Sequence, residues 1–464
     1  MPSALQKKSI AILGAGITGL TAAFRLTQRG HRVRLFESAS RVGGAIRTEI
    51  TSDGWLIEHG PNSLLTGEPA FTALLAELDL TPSLLPASPS ARHRYIVRHG
   101  KPIIAPLSPP AFLTSSLFSL GAKLRLLSEF FTRPRVRTAD VSLENFIYQH
   151  FGRELIDYAL NPFVAGVYAG DPKSLSARHA FPKLWQLEQT HGSLLRGQRA
   201  AAKSRSGPAP AIVSFQRGLQ TLPDALAARL PAGTLALNTH IEDLVPASPA
   251  ATSAPFVRPW NFLWHDGTGA HTESFDTVIA ALPAPALAQL SFGALGERPL
   301  ASLGTIEHPP VSSLFLGYRR EQVAHALDGF GLLVPEKENR SILGVLFNSS
   351  LFPGRAPAGH VALTVMIGGT RQPGLARLPT DELLATVAPD LRALLGVTGA
   401  PVFTRHTFWP RAIPQYNLGH EEHLATMLAC EKSHPNFFLG GQARDGISLP
   451  ACLAAGEKLA ARIA

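Results

Sequence analysis

Ile10-Ala11-Ile12-Leu13-Gly14-Ala15-Gly16-Ile17-Thr18-Gly19-Leu20 is an apolar run of strand length that enters a G-x-G-x-x-G turn and continues as a helical pattern. In that context each glycine has a separate task. Gly14 permits the tight turn, Gly16 lets backbone approach a pyrophosphate, and Gly19 lets the helix pack closely on the strand, so that its N–H groups face the phosphates. A second strand-like stretch, Arg32–Phe36, ends at Glu37, eighteen residues beyond Gly19 (37 − 19). A carboxylate there accepts hydrogen bonds from ribose hydroxyls. Lys7 and Lys8 before an apolar run also resemble the start of a secretory leader. Three glycines would weaken such a helix, however, and Glu37 would have no role, so a dinucleotide site is expected.

Going outward from the turn, 464 residues exceed one ordinary core, and two or three domains are expected. No apolar stretch reaches bilayer-spanning length. Cys430 and Cys452 stand alone without a C-x-x-C pair, and the histidines show no ligand spacing, so no disulfide scaffold and no metal are predicted. Lys plus Arg exceeds Asp plus Glu by 43 − 34 = 9, which favours acidic partners: nucleic acid, anionic lipid or a carboxylated substrate. The basic clusters at residues 92–101, 123–137 and 196–205 lack any RNA-recognition signature or zinc finger, so no nucleic-acid partner is expected.

After the β-α-β opening come Arg41-Val42-Gly43-Gly44 and a turn at Gly60-Pro61-Asn62, more glycine-rich backbone for a cofactor. Residues 111–131 carry an amphipathic, basic-tipped helical pattern, which suits either a core-facing helix or one inserted in a lipid leaflet. Residues 142–158 read as a helix ending before Asn161-Pro162, and residues 199–210 as a loop between domains. Stretches at 312–318, 331–334, 342–347 and 361–367 read as a mostly antiparallel sheet carrying substrate contacts. Near the end, a strand at Asn436-Phe437-Phe438-Leu439 reaches Gly440-Gly441, and Ile447-Ser448-Leu449-Pro450 opens a final helix. A helix N-terminus stabilises the negative charge that a reduced flavin gains at its pyrimidine end, which favours FAD over NAD.

With these segments in view, the chain resembles the protoporphyrinogen oxidase family of the amine oxidase superfamily. The resemblance runs over nearly the whole chain. It rests on Arg94-Tyr95-Ile96, on Asn161-Pro162-Phe163-Val164-Ala165-Gly166-Val167-Tyr168-Ala169-Gly170-Asp171-Pro172, and on Phe181-Pro182 with His191-Gly192-Ser193. It also rests on Ser214-Phe215-Gln216 with Gly218-Leu219-Gln220-Thr221-Leu222, on Trp409 with Ile413-Pro414-Gln415-Tyr416, and on Gly440-Gly441 through Leu449. It implies an α/β chain with a Rossmann-like FAD domain of p-hydroxybenzoate hydroxylase type at 1–90, 206–285 and 406–464. A mostly antiparallel β substrate domain at 286–405 and a helical membrane-binding domain at 91–205 complete it. The activity implied is FAD-dependent oxidation of protoporphyrinogen IX to protoporphyrin IX in heme biosynthesis, a six-electron reaction in which oxygen becomes hydrogen peroxide.

The resemblance also assigns residues. No side chain is expected to be catalytic, because the flavin carries the redox chemistry. Arg94 matches a propionate-binding arginine, Phe330 and Leu333 a pair that sandwiches a pyrrole, and Leu346 and Met366 further pocket walls. Ala169 matches a position where the family often has glycine, beside a carbonyl expected to accept pyrrole N–H groups. Cofactor positions are Gly14, Ala15, Gly16, Ile17, Thr18, Gly19, Glu37, Ser38, Arg41, Gly43, Gly44, Gly60, Pro61, Asn62 and Ser63. Ile241 should meet adenine, Trp409 the flavin, and Ile447, Ser448 and Leu449 its pyrimidine end. The implied partners are a porphyrinogen, molecular oxygen, a membrane surface met peripherally from the cytoplasm, and a second copy in a homodimer.

Three rivals remain. A coproporphyrinogen III oxidase would meet four propionates rather than two and should carry more cations than Arg94. Another flavin amine oxidase or desaturase would share the glycines but not the family segments. A non-catalytic flavin-fold binding protein should have eroded glycines or a lost final segment, and neither is seen.

Overall fold

The computed structural model describes residues 7–133, 137–203, 210–246, 260–293 and 296–463. At its centre five strands, Leu235–Ala236, Arg32–Phe36, Ser9–Leu13, Thr277–Ala280 and Phe437–Leu439, lie in that order and run parallel. All five residues of Ser9–Leu13 are buried, as expected for a strand covered on both faces. The helices Ile17–Gln28 and Leu449–Ala461 cover one face, and the antiparallel meander His240–Pro246, Trp260–Asp266, Gly269–Phe275 covers the other. The chain leaves Ser9–Leu13 towards Arg32–Phe36 on one side and returns at Thr277–Ala280 on the other. That reversal opens a crevice beyond Leu13, where open parallel sheets bind ligands.

A second sheet has seven strands in the order Phe403–Trp409, Val311–Arg319, His360–Gly368, Gly344–Leu346, Gly329–Leu333, His93–Arg98, Lys101–Ile104. Its pairings are antiparallel except for Gly329–Leu333 with His93–Arg98. The sheet is therefore wider than the 286–405 segment: its two ends come from the hairpin at 93–104 and from residues 403–409. Helix Thr380–Leu395 packs Leu383, Val387, Leu391 and Leu394 on one face. The other face looks towards the glycine-rich crevice.

The described residues between 109 and 203 form a helical lobe around Leu143, Phe146, Ile156, Val164, Leu175 and Leu194. The single helix read over 111–131 is two, Pro109–Thr114 and Leu120–Glu129, each opened by a serine whose hydroxyl accepts from the third residue of its helix. The helix read over 142–158 likewise breaks at Gly152, φ +77°, where Leu143–Phe151 ends, and the helical run that restarts at Arg153 continues through Asn161-Pro162 into Asn161–Tyr168. Pro162 has no N–H to give the preceding turn, which widens to an i→i+5 turn over Ile156–Leu160. The loop expected over 199–210 is helical as far as Lys203, the end of Leu194–Lys203, and its residues 204–209 lie outside the described residues.

Within the lobe, buried His150 sits between two buried carboxylates, Glu129 at 3.0 Å and Glu188 at 3.0 Å, with Arg137 also on Glu188. Glu129 further accepts the N–H groups of Leu194 and Leu195 at the start of the next helix. A buried ionic group is tolerable only when it is paired, and both carboxylates of this cluster have partners.

Candidate active site

The glycine turn has the geometry its sequence requires. Gly14 has φ +95° and donates to Phe36 O at 2.8 Å. A Cβ on Gly19 would lie 2.0 Å from Gly14 O, so no larger residue fits. A Cβ on Gly16 would meet nothing within 4 Å, and no side chain caps the helix that begins at Ile17. The first-turn N–H groups of Ile17, Thr18 and Gly19 are thus left for an outside acceptor.

Glu37 stands beside the turn: its carboxylate accepts from Ala15 N–H at 2.8 Å and from Ala39 N–H at 2.9 Å. Exposed Ser38 donates only to Glu37. Residues 238–239 run alongside, with Thr239 N–H on Glu37 O, and bring Ile241 to a bulge next to them. Arg41 turns inward and donates to Val42 O, Ile46 O and Gly44 O, holding the Gly43-Gly44 loop in shape. A Cβ on Gly44 would lie 3.4 Å from Gly16 Cα, and one on Gly60 would lie 2.0 Å from Ala45 O. Three glycine-bearing segments therefore converge on one crevice.

The fourth wall comes from the end of the chain. Thr18 donates to Cys452 O at 3.0 Å, and a Cβ on Gly456 would lie 2.6 Å from Thr18 O, so the last helix packs on the first through small residues. Its N-cap is Ser448, with Ile447 before it and Leu449-Pro450 in its first turn. Buried Tyr416 donates its hydroxyl proton to Gln442 O and accepts from Gly446 N–H, which fixes the approach to Ile447.

The seven-stranded sheet docks against the same crevice. Trp409 Nε1 donates to His59 O at 3.0 Å, and His59 Nδ1 meets Thr407 Oγ1 at 2.7 Å, so Trp409 abuts the Gly60-Pro61-Asn62-Ser63 loop. Asn62 accepts from buried Asn348 at 2.8 Å and donates to Gly60 O. Behind the loop, Glu58 is buried against Thr48 Oγ1 and Leu219 N–H. Burial pushes its carboxyl up to about 7, against the pull of those bonds and of Arg355. At the start of helix His420–Ser433, burial, with His179 and His423 alongside, pushes His420 down to about 4.

The open face of the seven-stranded sheet gathers five of the six expected substrate residues. In register, Leu333 pairs with Gly344 and Gly344 with Met366, while Leu346 lies two residues from Gly344 on the same face. Gly329 pairs with His93 and Leu332 with Tyr95, so Phe330 and Gly331 together oppose Arg94. This bulge turns Phe330 onto the face of Arg94, whose guanidinium carbon stands 5.4 Å from the Phe330 ring centre. Among the described residues Arg94 has no carboxylate partner, whereas Arg98 on the same strand is held by Glu154 at 2.6 Å. From Val361 to Gly368 every residue is buried except Met366.

Ala169 is not on this face. It is the buried residue that ends helix Asn161–Tyr168 in a left-handed conformation, φ +53°, and its carbonyl already accepts Thr370 N–H at 2.8 Å. A glycine is natural there because a Cβ is strained at such a helix end. The residue of that helix facing the sheet is Gly166, where a Cβ would lie 2.4 Å from Leu333 Cδ2. Gly166 was legible only as a cost: a helix-interior glycine loses about 1 kcal/mol against alanine, which calls for a close approach.

The flavin containing amine oxidoreductase family matches residues 17–464. Protoporphyrinogen oxidase 2, chloroplastic/mitochondrial, of Arabidopsis thaliana is 34% identical over 98% of this chain and 94% of its own length. The chain belongs to the protoporphyrinogen oxidase family of flavin-containing amine oxidoreductases. Coproporphyrinogen III oxidase of Bacillus subtilis (strain 168) is 27% identical to this oxidoreductase over 97% of each chain. Reduced UDP-galactopyranose mutase shares the fold alone, with a TM-score of 0.72, 18% identity, and 98% and 95% of the two chains covered. This oxidoreductase has the mixed α/β fold of flavin amine oxidases, and FAD is its cofactor. The uncapped helix start at Ile17, the space before Gly16 and the second helix start at Ser448 fit the phosphates and the pyrimidine end of that molecule.

Proposed function

We propose that this oxidoreductase converts protoporphyrinogen IX to protoporphyrin IX in heme biosynthesis, with molecular oxygen taking the electrons. The observation that carries this reading is a guanidinium without a carboxylate partner among the described residues, Arg94, on the face it shares with Phe330, Leu333, Leu346 and Met366. A porphyrinogen is a large apolar ring with carboxylates at its rim. Arg94 grips a propionate through its planar fork, Phe330 and Leu333 hold a pyrrole, and Leu346 and Met366 complete the wall. Bound FAD supplies the chemistry: six hydrogens leave the macrocycle in three two-electron rounds, and three oxygen molecules become three of hydrogen peroxide. The chain's own part is to align a methylene bridge carbon, keep water off that face and hold the carboxylate end at Arg94. One cation suits a substrate with two propionates on one edge better than coproporphyrinogen III, whose four demand more partners. Aerobic porphyrin fluorescence with both substrates tests the choice, and a faster coproporphyrinogen III reaction would reverse it.

The finer architecture belongs to the same reading: a p-hydroxybenzoate hydroxylase-type FAD region assembled from 1–90, 206–285 and 406–464, a substrate region at 286–405 and a membrane-binding region at 91–205. Leu120, Leu124, Leu127 and Phe131 form one stripe that points outward, with Leu120 72% and Phe131 83% exposed. Such a stripe beside Lys123, Arg125 and Arg133 suits one leaflet of an anionic membrane on its cytoplasmic side. No described helix is long and apolar enough to cross a membrane. Co-sedimentation with anionic vesicles at low and high salt is expected for the intact chain and lost in Leu120→Glu; equal sedimentation of both would rule the stripe out.

A further inference from the structure

The turn after the Met366 strand reaches both ends of helix Asn161–Tyr168. At the C-terminal end Thr370 N–H donates to Ala169 O. At the N-terminal end the next residue, Arg371, donates through Nη2 to Asn161 Oδ1 at 3.0 Å and through Nη1 to Val334 O at 2.8 Å. Asn161 is otherwise engaged by Glu336, whose N–H donates to Asn161 Oδ1 at 2.9 Å and whose carboxylate accepts from Asn161 Nδ2 at 3.1 Å. Val334 directly follows Leu333, and Leu333 is the residue that Gly166 of this helix approaches. A single guanidinium thus ties down the chain on both sides of the Gly166–Leu333 contact.

The two groups Arg371 grips are neutral oxygens. Glu336 and Asp171 help it only at longer range, and burial lowers its pKa. Withdrawing a cation from water for two neutral acceptors is costly. Lysine could satisfy one acceptor, but only a rigid planar fork holds two at a fixed separation. The two acceptors here belong to the helix and the strand that meet at the Gly166–Leu333 contact.

We infer that Arg371 is a positioning residue for substrate: by gripping Asn161 and Val334 O together it fixes how the Gly166 helix seats against Leu333, and so where Leu333 stands on the face proposed to hold the macrocycle. It touches neither substrate nor cofactor, and the inference rests on the porphyrinogen reading above. The test is steady-state kinetics with protoporphyrinogen IX on the FAD-loaded wild type, Arg371→Ala, Arg371→Lys, Asn161→Ala and the Arg371→Ala/Asn161→Ala pair. FAD content and thermal midpoint are read alongside.

Arg371→Ala should raise KM roughly tenfold, because a wall displaced by a fraction of an ångström misplaces the substrate, while kcat changes little and FAD is retained. Asn161→Ala should act in the same direction, the pair should be no worse than the worse single change, and Arg371→Lys should fail to restore KM. A lowered thermal midpoint with wild-type KM in Arg371→Ala would make the residue merely structural and overturn the inference. If Arg371→Ala does not fold, Asn161→Ala decides, and an unchanged KM there overturns it equally. A wild type that oxidises no porphyrinogen would instead fail the reading beneath, which separates the two.

Discussion

The two sheets of this molecule meet their ligands in opposite ways. The five-stranded parallel sheet offers the ends of its strands, and its site is made of backbone: a helix start at Ile17 without a side-chain cap, and turns at Gly14, Gly43 and Gly60 where side chains are excluded. The seven-stranded sheet offers a face, and its site is made of side chains that stand out from a pleat: Arg94, Phe330, Leu333, Leu346 and Met366. A backbone site tolerates almost no substitution and is indifferent to the rest of the ligand. A side-chain face can be altered stepwise, and it decides what is oxidised.

If that contrast holds, the largest effect should come from Gly19→Ala. Its Cβ would stand 2.0 Å from Gly14 O, so the purified protein should lose bound FAD altogether, as read from flavin absorbance; retention of a full complement would break the contrast on the backbone side. Arg94→Ala should spare the flavin but raise KM for protoporphyrinogen IX roughly thirtyfold, the equivalent of about 2 kcal/mol for one charge-assisted contact. An unchanged KM would remove Arg94 from the site.

Glu58 gives a pH signature to the backbone side. Its folded pKa is raised to about 7, so the stability it contributes is full below the unfolded carboxylate value and lost as pH rises through 7. Glu58→Gln stays neutral, and its stability relative to wild type should therefore grow by on the order of 3 kcal/mol between pH 4.5 and 8, measured by urea unfolding. The lowered pKa of His420 acts in the opposite sense, adding stability above the unfolded histidine value that is lost as pH falls towards 4, but it is common to both proteins and cancels in the difference. A flat difference would mean Glu58 ionises normally. The smallest effect is expected from Ala169→Gly, which should stabilise the fold by about 0.5 kcal/mol through relief of a left-handed alanine and leave KM alone. A shifted KM would give Ala169 a part in substrate binding.

The contrast also explains what could be read from the chain. Gly14, Gly16 and Gly19 followed by Glu37 form a local pattern because a backbone site depends on residues close in sequence. The final segment around Ser448 was legible for the same reason, as a strand and a glycine pair leading into a helix start. Leu333, Leu346 and Met366 were not legible without a resemblance, since an apolar residue in a strand looks the same whether it faces a core or a ligand. Phe330 needed the bulge at Gly331, which only cross-strand register reveals. Arg371 and Asn161 lie 210 residues apart and meet only in the folded chain. Helix boundaries failed where a local break competed with the apolar pattern, between the Thr114 and Leu120 helix ends, at Gly152 and at Pro162.

The central claim is that a sheet face carrying Arg94, Phe330, Leu333, Leu346 and Met366 beside an FAD crevice makes this chain a protoporphyrinogen IX oxidase. Aerobic oxidation of protoporphyrinogen IX and coproporphyrinogen III by the FAD-loaded protein, followed as porphyrin fluorescence, tests it directly. The expected result is fluorescence rising well above the spontaneous rate with protoporphyrinogen IX and more slowly with coproporphyrinogen III, and no rise above the spontaneous rate with either substrate would contradict it.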